Sequence, residues 1–432
     1  MGCMTSCSSS PLGTPFRWHP RCRALRWTPS STSGSRASAS PCSGRGPAVG
    51  RPPERPPEMR LRRGHGITTA TGISAGLMFI DLQWSSTLHY RLAQPDFYVY
   101  YLAARLGRAL GWAAIYDPAV FLPPVTAAIG KPLPYLNPPE LVWLVTPLSF
   151  LPYVVAAWIW TGVLAAAFVI IWYLAAPGRG LIRTFHGIGA AALLPVFVGI
   201  LFGQVSLVVV AVIAVSWWLL SRERPWLAGL ALSALILKPQ IAFLVPLALL
   251  LAGYGRVFLA WIVVSVPLAV VALLTTGTAV FHHILQSLDS VKDVPGSIQS
   301  SLLRQLPLPV ALVGIAGVLG VSGFIVWRER GSGPSRPIAI GLLSSMLVSP
   351  YVNFYDLAAL VLAAWLILRA KPPRWQQALT LGMYVPLYGA PIWPLVTLVC
   401  LCGWLASLAV PSARALRVNH APRETDPFRV AI

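Results

Sequence analysis

Hydrophobic positions in this chain fall in continuous runs, neither alternating as in half-buried strands nor striped as in surface helices. From about Leu141 onward, apolar stretches of roughly 20 residues recur between short polar connections, each about long enough to cross a hydrocarbon core of ~30 Å. Their continuity argues against a membrane β-barrel, whose strands alternate. The pattern predicts an all-α, polytopic integral membrane protein. The connections differ in charge: Arg179 and Arg183, Arg222 and Arg224, Arg256, Arg328 with Arg330 and Arg336, Arg369 with Lys371 and Arg374, and the Arg-rich tail after Pro411 occupy alternate ones. The positive-inside rule places this set in the cytoplasm and the charge-poor turns outside, giving a bundle of about twelve transmembrane helices with both ends inside.

Three regions depart from this regularity. Residues 138–176 are too long for one span, yet two full spans would invert every later loop. Residues 139–151 are therefore read as a re-entrant or interfacial helix, broken at Leu151-Pro152 before the second true span. Residues 67–84 form the first and weakest span, interrupted by Thr, Ser, Gly and Asp81 and preceded by the basic flank Met59-Arg60-Leu61-Arg62-Arg63. That order suits a signal-anchor. Residues 94–137 form a long first outer loop, with amphipathic helices lying along the interface. Residues 1–58 are rich in Ser, Pro, Gly and Arg and contain no apolar run and no Lys. They read as a disordered tail or, preferably, as an overextended gene start, the chain then beginning at Met59. Residues 59–411 form the transmembrane domain and 412–432 a basic cytoplasmic tail.

Composition supports this class: 56% of residues are hydrophobic and 11% charged, against about 25% charged in soluble domains. The net charge of +20 does not indicate nucleic-acid binding, because the basic residues sit in tails and short loops rather than on a folded face. They suit anionic lipid headgroups instead. Of the six cysteines, Cys3, Cys7, Cys22 and Cys42 lie in the N-terminal tail and Cys400 and Cys402 in the last span. Neither set has zinc-site spacing with histidines, so no metal site and no disulfide framework are expected. Neither a Gly-rich phosphate loop nor a metal-binding Asp-x-Asp pair occurs. The expectation is an activity without nucleotide, cofactor or divalent metal.

Only 13 of the 432 residues are acidic, so each carboxylate calls for a reason. Asp96, in Gln94-Pro95-Asp96-Phe97-Tyr98-Val99-Tyr100-Tyr101, stands at the membrane surface among tyrosines, where a general base could face a sugar or lipid acceptor. Further polar groups gather at the same outer ends: Tyr116-Asp117-Pro118, Asn137, Gln204, Lys238 with Gln240, Gln299 with Ser300, Arg304, and Tyr351-Val352-Asn353-Phe354-Tyr355-Asp356. A one-sided array in so charge-poor a chain points to one pocket at the outer leaflet.

The order Asp96 to Arg105, Ile115 to Pro118, Tyr135-Leu136-Asn137-Pro138-Pro139, Gly203-Gln204, Leu237-Lys238-Pro239-Gln240, Gln299-Ser300 and Ser349 through Asp356 resembles glycosyltransferase family 87. The resemblance runs from about Asp96 to the last span. It implies a GT-C fold and inverting transfer of a hexose, mannose in the first instance, from a polyprenyl-phosphate donor to a lipid or glycan acceptor outside a bacterial plasma membrane. It also implies that Asp96 is the general base. A polyprenyl phosphate leaves readily if a cation stabilises its developing charge; Lys238 is the first candidate and Arg304 the second. Tyr100, Tyr116, Asp117, Asn137, Gln204, Gln240, Gln299, Tyr355 and Asp356 are the expected substrate-binding residues. The chain departs from the family in its poor first span and at Asn353, where relatives often have histidine.

Each position also has a plain structural reading. Asp96 after Pro95 suits a helix start, Lys238 could snorkel to the interface, and Asp117 before Pro118 suits a turn. Gln204 and Gln240 could satisfy backbone groups at tight turns. His282 and His283 have no partner at metal-ligand spacing, and the tryptophans suit an aromatic belt. The rival function is a membrane transporter or lipid flippase. Against it stand the absence of an internal repeat and the grouping of polar residues at one face rather than at mid-depth.

Overall fold

The computed structural model describes residues 94–278 and 301–410. Outside them lie the weak first span 67–84, the start at Met59, the tails, the N-terminal cysteines, His282, His283, Gln299 and Ser300. The described residues form helices α1 (Pro95–Leu110), α2 (Pro118–Ile129), α3 (Pro139–Val145), α4 (Tyr153–Ala175), α5 (Leu181–Ala191), α6 (Leu194–Phe202), α7 (Ser206–Leu220), α8 (Pro225–Leu232), α9 (Leu244–Leu251) and α10 (Gly255–Thr276). They continue through α11 (Leu302–Gln305), α12 (Leu308–Arg328), α13 (Ser335–Val348), α14 (Ala359–Arg369), α15 (Arg374–Gly382), α16 (Tyr384–Tyr388) and α17 (Pro394–Ser407).

The all-helical class agrees with the hydropathy pattern, while the described residues do not by themselves supply about twelve full-length spans. Among the described residues, three helices (α4, α10 and α12) are long and apolar enough to cross a membrane, or four spans if the pair α5 and α6, bent by 61°, counts as one. The physical reason lies in breakers inside the apolar runs. Pro195 opens α6 and Pro225 opens α8, while Lys238-Pro239 divides two 3-10 turns. Proline removes a helical donor and restrains the residue before it. Residues 94–137, expected as a long outer loop carrying helices, are largely helical. They fold as α1, a 3-10 turn (Trp112–Tyr116) and α2, with one face of α1 buried through Phe97, Tyr100, Tyr101, Ala104 and Gly107. In residues 138–176 the chain runs from α3 through a 3-10 turn to Phe150, breaks at Leu151-Pro152, and resumes as the 23-residue α4.

α13 is the central element, with every residue from Arg336 to Val348 buried. Small residues permit this. A Cβ on Gly341 would lie 2.8 Å from Val245 Cα, and Ser344 hydrogen-bonds Ser322 at 2.6 Å. Ser345 receives the Leu244 amide at 3.0 Å while donating to the Gly341 carbonyl. Close backbone approach and short hydroxyl bonds are the usual means of joining helices where no hydrophobic drive separates side chain from lipid. Trp158, Val263, Leu274 and Val313 are exposed on the full-length spans, an apolar exterior suited to lipid.

Arginines close one end of the bundle. Arg369 donates to the carbonyls of Leu174, Ala175 and Ala176 at the end of α4. Arg336 pairs with Glu329 and donates to Leu408 and Val410 beyond α17. Arg328 and Arg330 bond the carbonyls of Ala409 and Leu251. Cations at helix C-termini satisfy orphan carbonyls and complement the dipole. These are positions that the alternation of charge assigned to one side. α7 links that end to the other: Trp217 bonds Ser335 and lies under the Arg369 guanidinium, while Ser206, roughly 16 Å away at about 1.5 Å per residue, enters a separate polar cluster.

Candidate functional site

That cluster forms where four broken helix ends meet. Asp96 is held there by α1. Pro95 begins the helix, preceded by Gln94 at φ 68°, an uncommon conformation for a non-glycine residue. Phe97 stacks on Trp160 of α4 at 5.3 Å between ring centroids, and Tyr153 donates to the Gln94 carbonyl. Gly203 caps α6 at φ +75°, and its carbonyl receives the Trp160 indole at 2.7 Å. A Cβ at Gly203 would lie 2.6 Å from Phe97 Cβ. Gly203→Ala is therefore expected to lower stability by about 1–3 kcal/mol and to displace α1. Thermal unfolding of the detergent-solubilised chain checks this; an unchanged midpoint would mean that α1 is not seated on Gly203.

Immediately after Gly203, Gln204 donates Nε2 to Asp96 Oδ2. Its Oε1 accepts from Lys238 Nζ at 2.8 Å and from the Tyr100 hydroxyl at 3.1 Å. Lys238 reaches the cluster because the chain is extended at the break before Pro239 (φ −157°). It also donates to Ser206 Oγ at 3.0 Å and Asp356 Oδ1 at 2.5 Å. Ser206 donates to the same Asp356 oxygen at 2.7 Å. Asp356 is anchored by the Asn353 amide on Oδ2 and by a capping box with Asn353. Asn353 in turn donates to the hydroxyls of Tyr351 and Tyr355, and the Tyr355 ring faces Lys238 Nζ at 5.3 Å. Gln204, Ser206, Lys238 and Asp356 are all buried.

Asp96 keeps part of its surface open. Even so, enough protein surrounds the carboxyl for burial to push its pKa up to about 6. The Gln204 hydrogen bond and the Lys238 charge oppose that rise, and the Asp356 charge adds to it. Burial likewise raises the Tyr100 and Tyr355 hydroxyls well above their usual range, so they act as neutral hydrogen-bonding groups.

The structure thus brings together Asp96, Tyr100, Gln204, Lys238, Tyr355 and Asp356 from the expected set. The ammonium of Lys238 differs most from its expected role, since its three N–H groups have three protein acceptors. Arg304 lies at the rim, its Nε on the Pro350 carbonyl at 3.1 Å and its charge near Tyr351. Tyr116 donates to the backbone carbonyl of Asn137. Asp117, read as a turn former, caps α2 through the Ala119 amide. Gln240 is half-buried in a 3-10 turn (Pro239–Ile241). Sequence reasoning passed over Ser206, which had one signal: a hydroxyl two residues past Gln204, at the start of an apolar run. Among the described residues no three His, Cys, Asp or Glu side chains are grouped to hold a metal ion.

A polar, carboxylate-bearing cluster at one end of an apolar helical bundle defines a membrane protein with the makings of an enzyme site. Residues 135–350 match glycosyltransferase family 87. The match spans half of the chain, which belongs to that family and is a glycosyltransferase. It includes Gln204, Ser206, Lys238 and Arg304, while Asp96 and Asp356 lie outside it. No curated protein and no solved structure matches the chain.

Proposed function

We propose that this chain transfers a hexose, mannose in the first instance, from a polyprenyl-phosphate donor to a lipid or glycan acceptor at the extracytoplasmic face of the plasma membrane. The observation that carries the reading is Asp96: a partly open carboxyl, braced by Gln204, with its pKa near 6. At neutral pH it is ionised yet more basic than an ordinary carboxylate, which suits a general base. The acceptor hydroxyl gives its proton to Asp96 as its oxygen attacks the anomeric carbon. The bond from that carbon to the phosphate oxygen breaks on the opposite face, inverting the centre and releasing polyprenyl phosphate. Arg304 at the rim is the cation we assign to the departing phosphate.

An apolar cavity of about 620 Å³ supports a lipid-linked donor. It lies between α5, α14, α15 and α16, lined by Leu193, Leu360, Ala364, Trp365, Leu381 and Leu387. Its α14 wall runs from Leu360, one turn beyond Asp356, to Leu368.

The test is transfer of label from radiolabelled polyprenyl-phosphate-mannose into lipid extracts by membranes carrying the chain, beside a nucleotide-sugar and other polyprenyl-phosphate sugars. Label from the polyprenyl phosphate alone is expected. Transfer from the nucleotide sugar would overturn the donor class. No transfer from any donor, with a labelled lipid crossing the bilayer, would favour the transporter or flippase.

A further inference from the structure

An amide side chain presents an oxygen and an NH₂ of nearly equal size, and its surroundings decide which way round it sits. At Gln204 that choice is forced. Oε1 faces the Lys238 ammonium, which has no acceptor capacity, and the Tyr100 hydroxyl. Turned over, the NH₂ would meet an ammonium and the carbonyl oxygen would meet the Asp96 carboxylate. Lys238 is itself held by Asp356 and Ser206, and Asp356 by the backbone of Asn353. The Gln204 bond falls on Oδ2 of Asp96, and among the described residues Oδ1 receives no hydrogen bond.

We propose that Gln204 is a positioning residue that reserves Oδ1 of Asp96 for the acceptor proton, its amide locked in one orientation by Lys238 and Tyr100 and, through Lys238, by Asp356 and Ser206. This rests on the reading of Asp96 as the base. It assigns the buried Lys238–Asp356 pair to the acceptor side of the reaction, whereas a pair that only packs the bundle would leave the protonation of Asp96 untouched. The charged and titratable groups that act on or respond to Asp96 are Lys238, Asp356, Tyr100, Tyr351 and Tyr355. From the elements packed on α1, Glu140 of α3 acts on Tyr116 and Tyr135, and Tyr153 of α4 is paired with Tyr98.

The experiment is an infrared titration of the full chain in lipid nanodiscs, following the protonated-carboxyl band that Asp96→Asn removes, together with the pH dependence of sugar transfer. The wild-type midpoint is expected at about 6. Gln204→Leu and Lys238→Met should each raise it by about one pH unit. Their double variant should fall short of the sum, because Lys238 acts partly through Gln204. Asp356→Asn removes a like charge and should lower the midpoint. The acid limb of the transfer profile should follow the same order. A midpoint unmoved by Gln204→Leu, or full additivity in the double variant, overturns the proposal. Should Lys238→Met fail to fold, Gln204→Glu is the second variant: near-isosteric, it turns an oxygen toward Asp96 in either orientation and must raise the midpoint. The infrared arm needs no substrate. A chain that transfers no sugar therefore fails the functional reading alone, and an active chain with unmoved midpoints fails the positioning alone.

Discussion

Asp96→Asn is expected to lower sugar transfer by about 10²–10⁴-fold, the range for loss of a positioned general base, while the protein inserts and purifies as before. The amide is nearly isosteric and keeps the helix start after Pro95, so the loss would report chemistry rather than folding. The same assignment sets a pH profile. Asp96 titrates near 6 in the folded protein, so transfer should be level above about pH 7 and fall about tenfold per pH unit well below 6. The sign follows from the role: a base works only when ionised, and lowering the pH through its raised pKa removes that form. Initial rates across pH in membranes normalised for protein content check both statements. Equal rates for Asp96→Asn and wild type would remove Asp96 from the mechanism. A level profile down to pH 4 would place the base elsewhere.

Lys238→Met is expected to be the most destabilising single change in the cluster. It leaves Asp356, whose side chain has no exposed surface, as an unpaired buried charge. Breaking such a pair from one side costs about 3–5 kcal/mol, whereas replacing both members by apolar residues is often neutral. Lys238→Met with Asp356→Leu should therefore regain most of the lost stability. Activity should return only in part, because Tyr100 alone then holds the Gln204 amide against turning over. Thermal unfolding in detergent, beside transfer assays, separates the two. A single variant as stable as wild type would show that water reaches Asp356, and a double variant with fully restored transfer would leave the pair no part in the reaction.

The helical class and the gathering of Arg328, Arg330, Arg336 and Arg369 at one end were legible in the chain because both follow from residue-by-residue properties. A run such as residues 153–175 must be solvated by lipid or protein wherever it lies, and arginines such as Arg369 and Arg336 take the free carbonyls at helix ends. The membership of the site was partly legible too, since Asp96, Gln204, Lys238 and Asp356 are conspicuous in an apolar chain. The division of the apolar runs was less so. Prolines and turns at residues 195, 225 and 239 yield short helices where the hydropathy suggested full spans, because hydropathy measures solvation and not helix continuity.

Sequence by itself determined that this protein is an apolar helical bundle with most of its loop arginines toward one end and a sparse polar set, Lys238 included, toward the other. Partition into lipid depends on composition along the chain and needs no knowledge of partners. Only the tertiary structure decided which polar groups meet. Lys238 and Asp356 pair across 118 residues, and Gln204 reaches Asp96 across 108. Lys238, read as a cation for phosphate, is satisfied instead by Gln204, Ser206 and Asp356. A buried ammonium takes the acceptors that folding brings within reach, and those are set by where broken helices end in space.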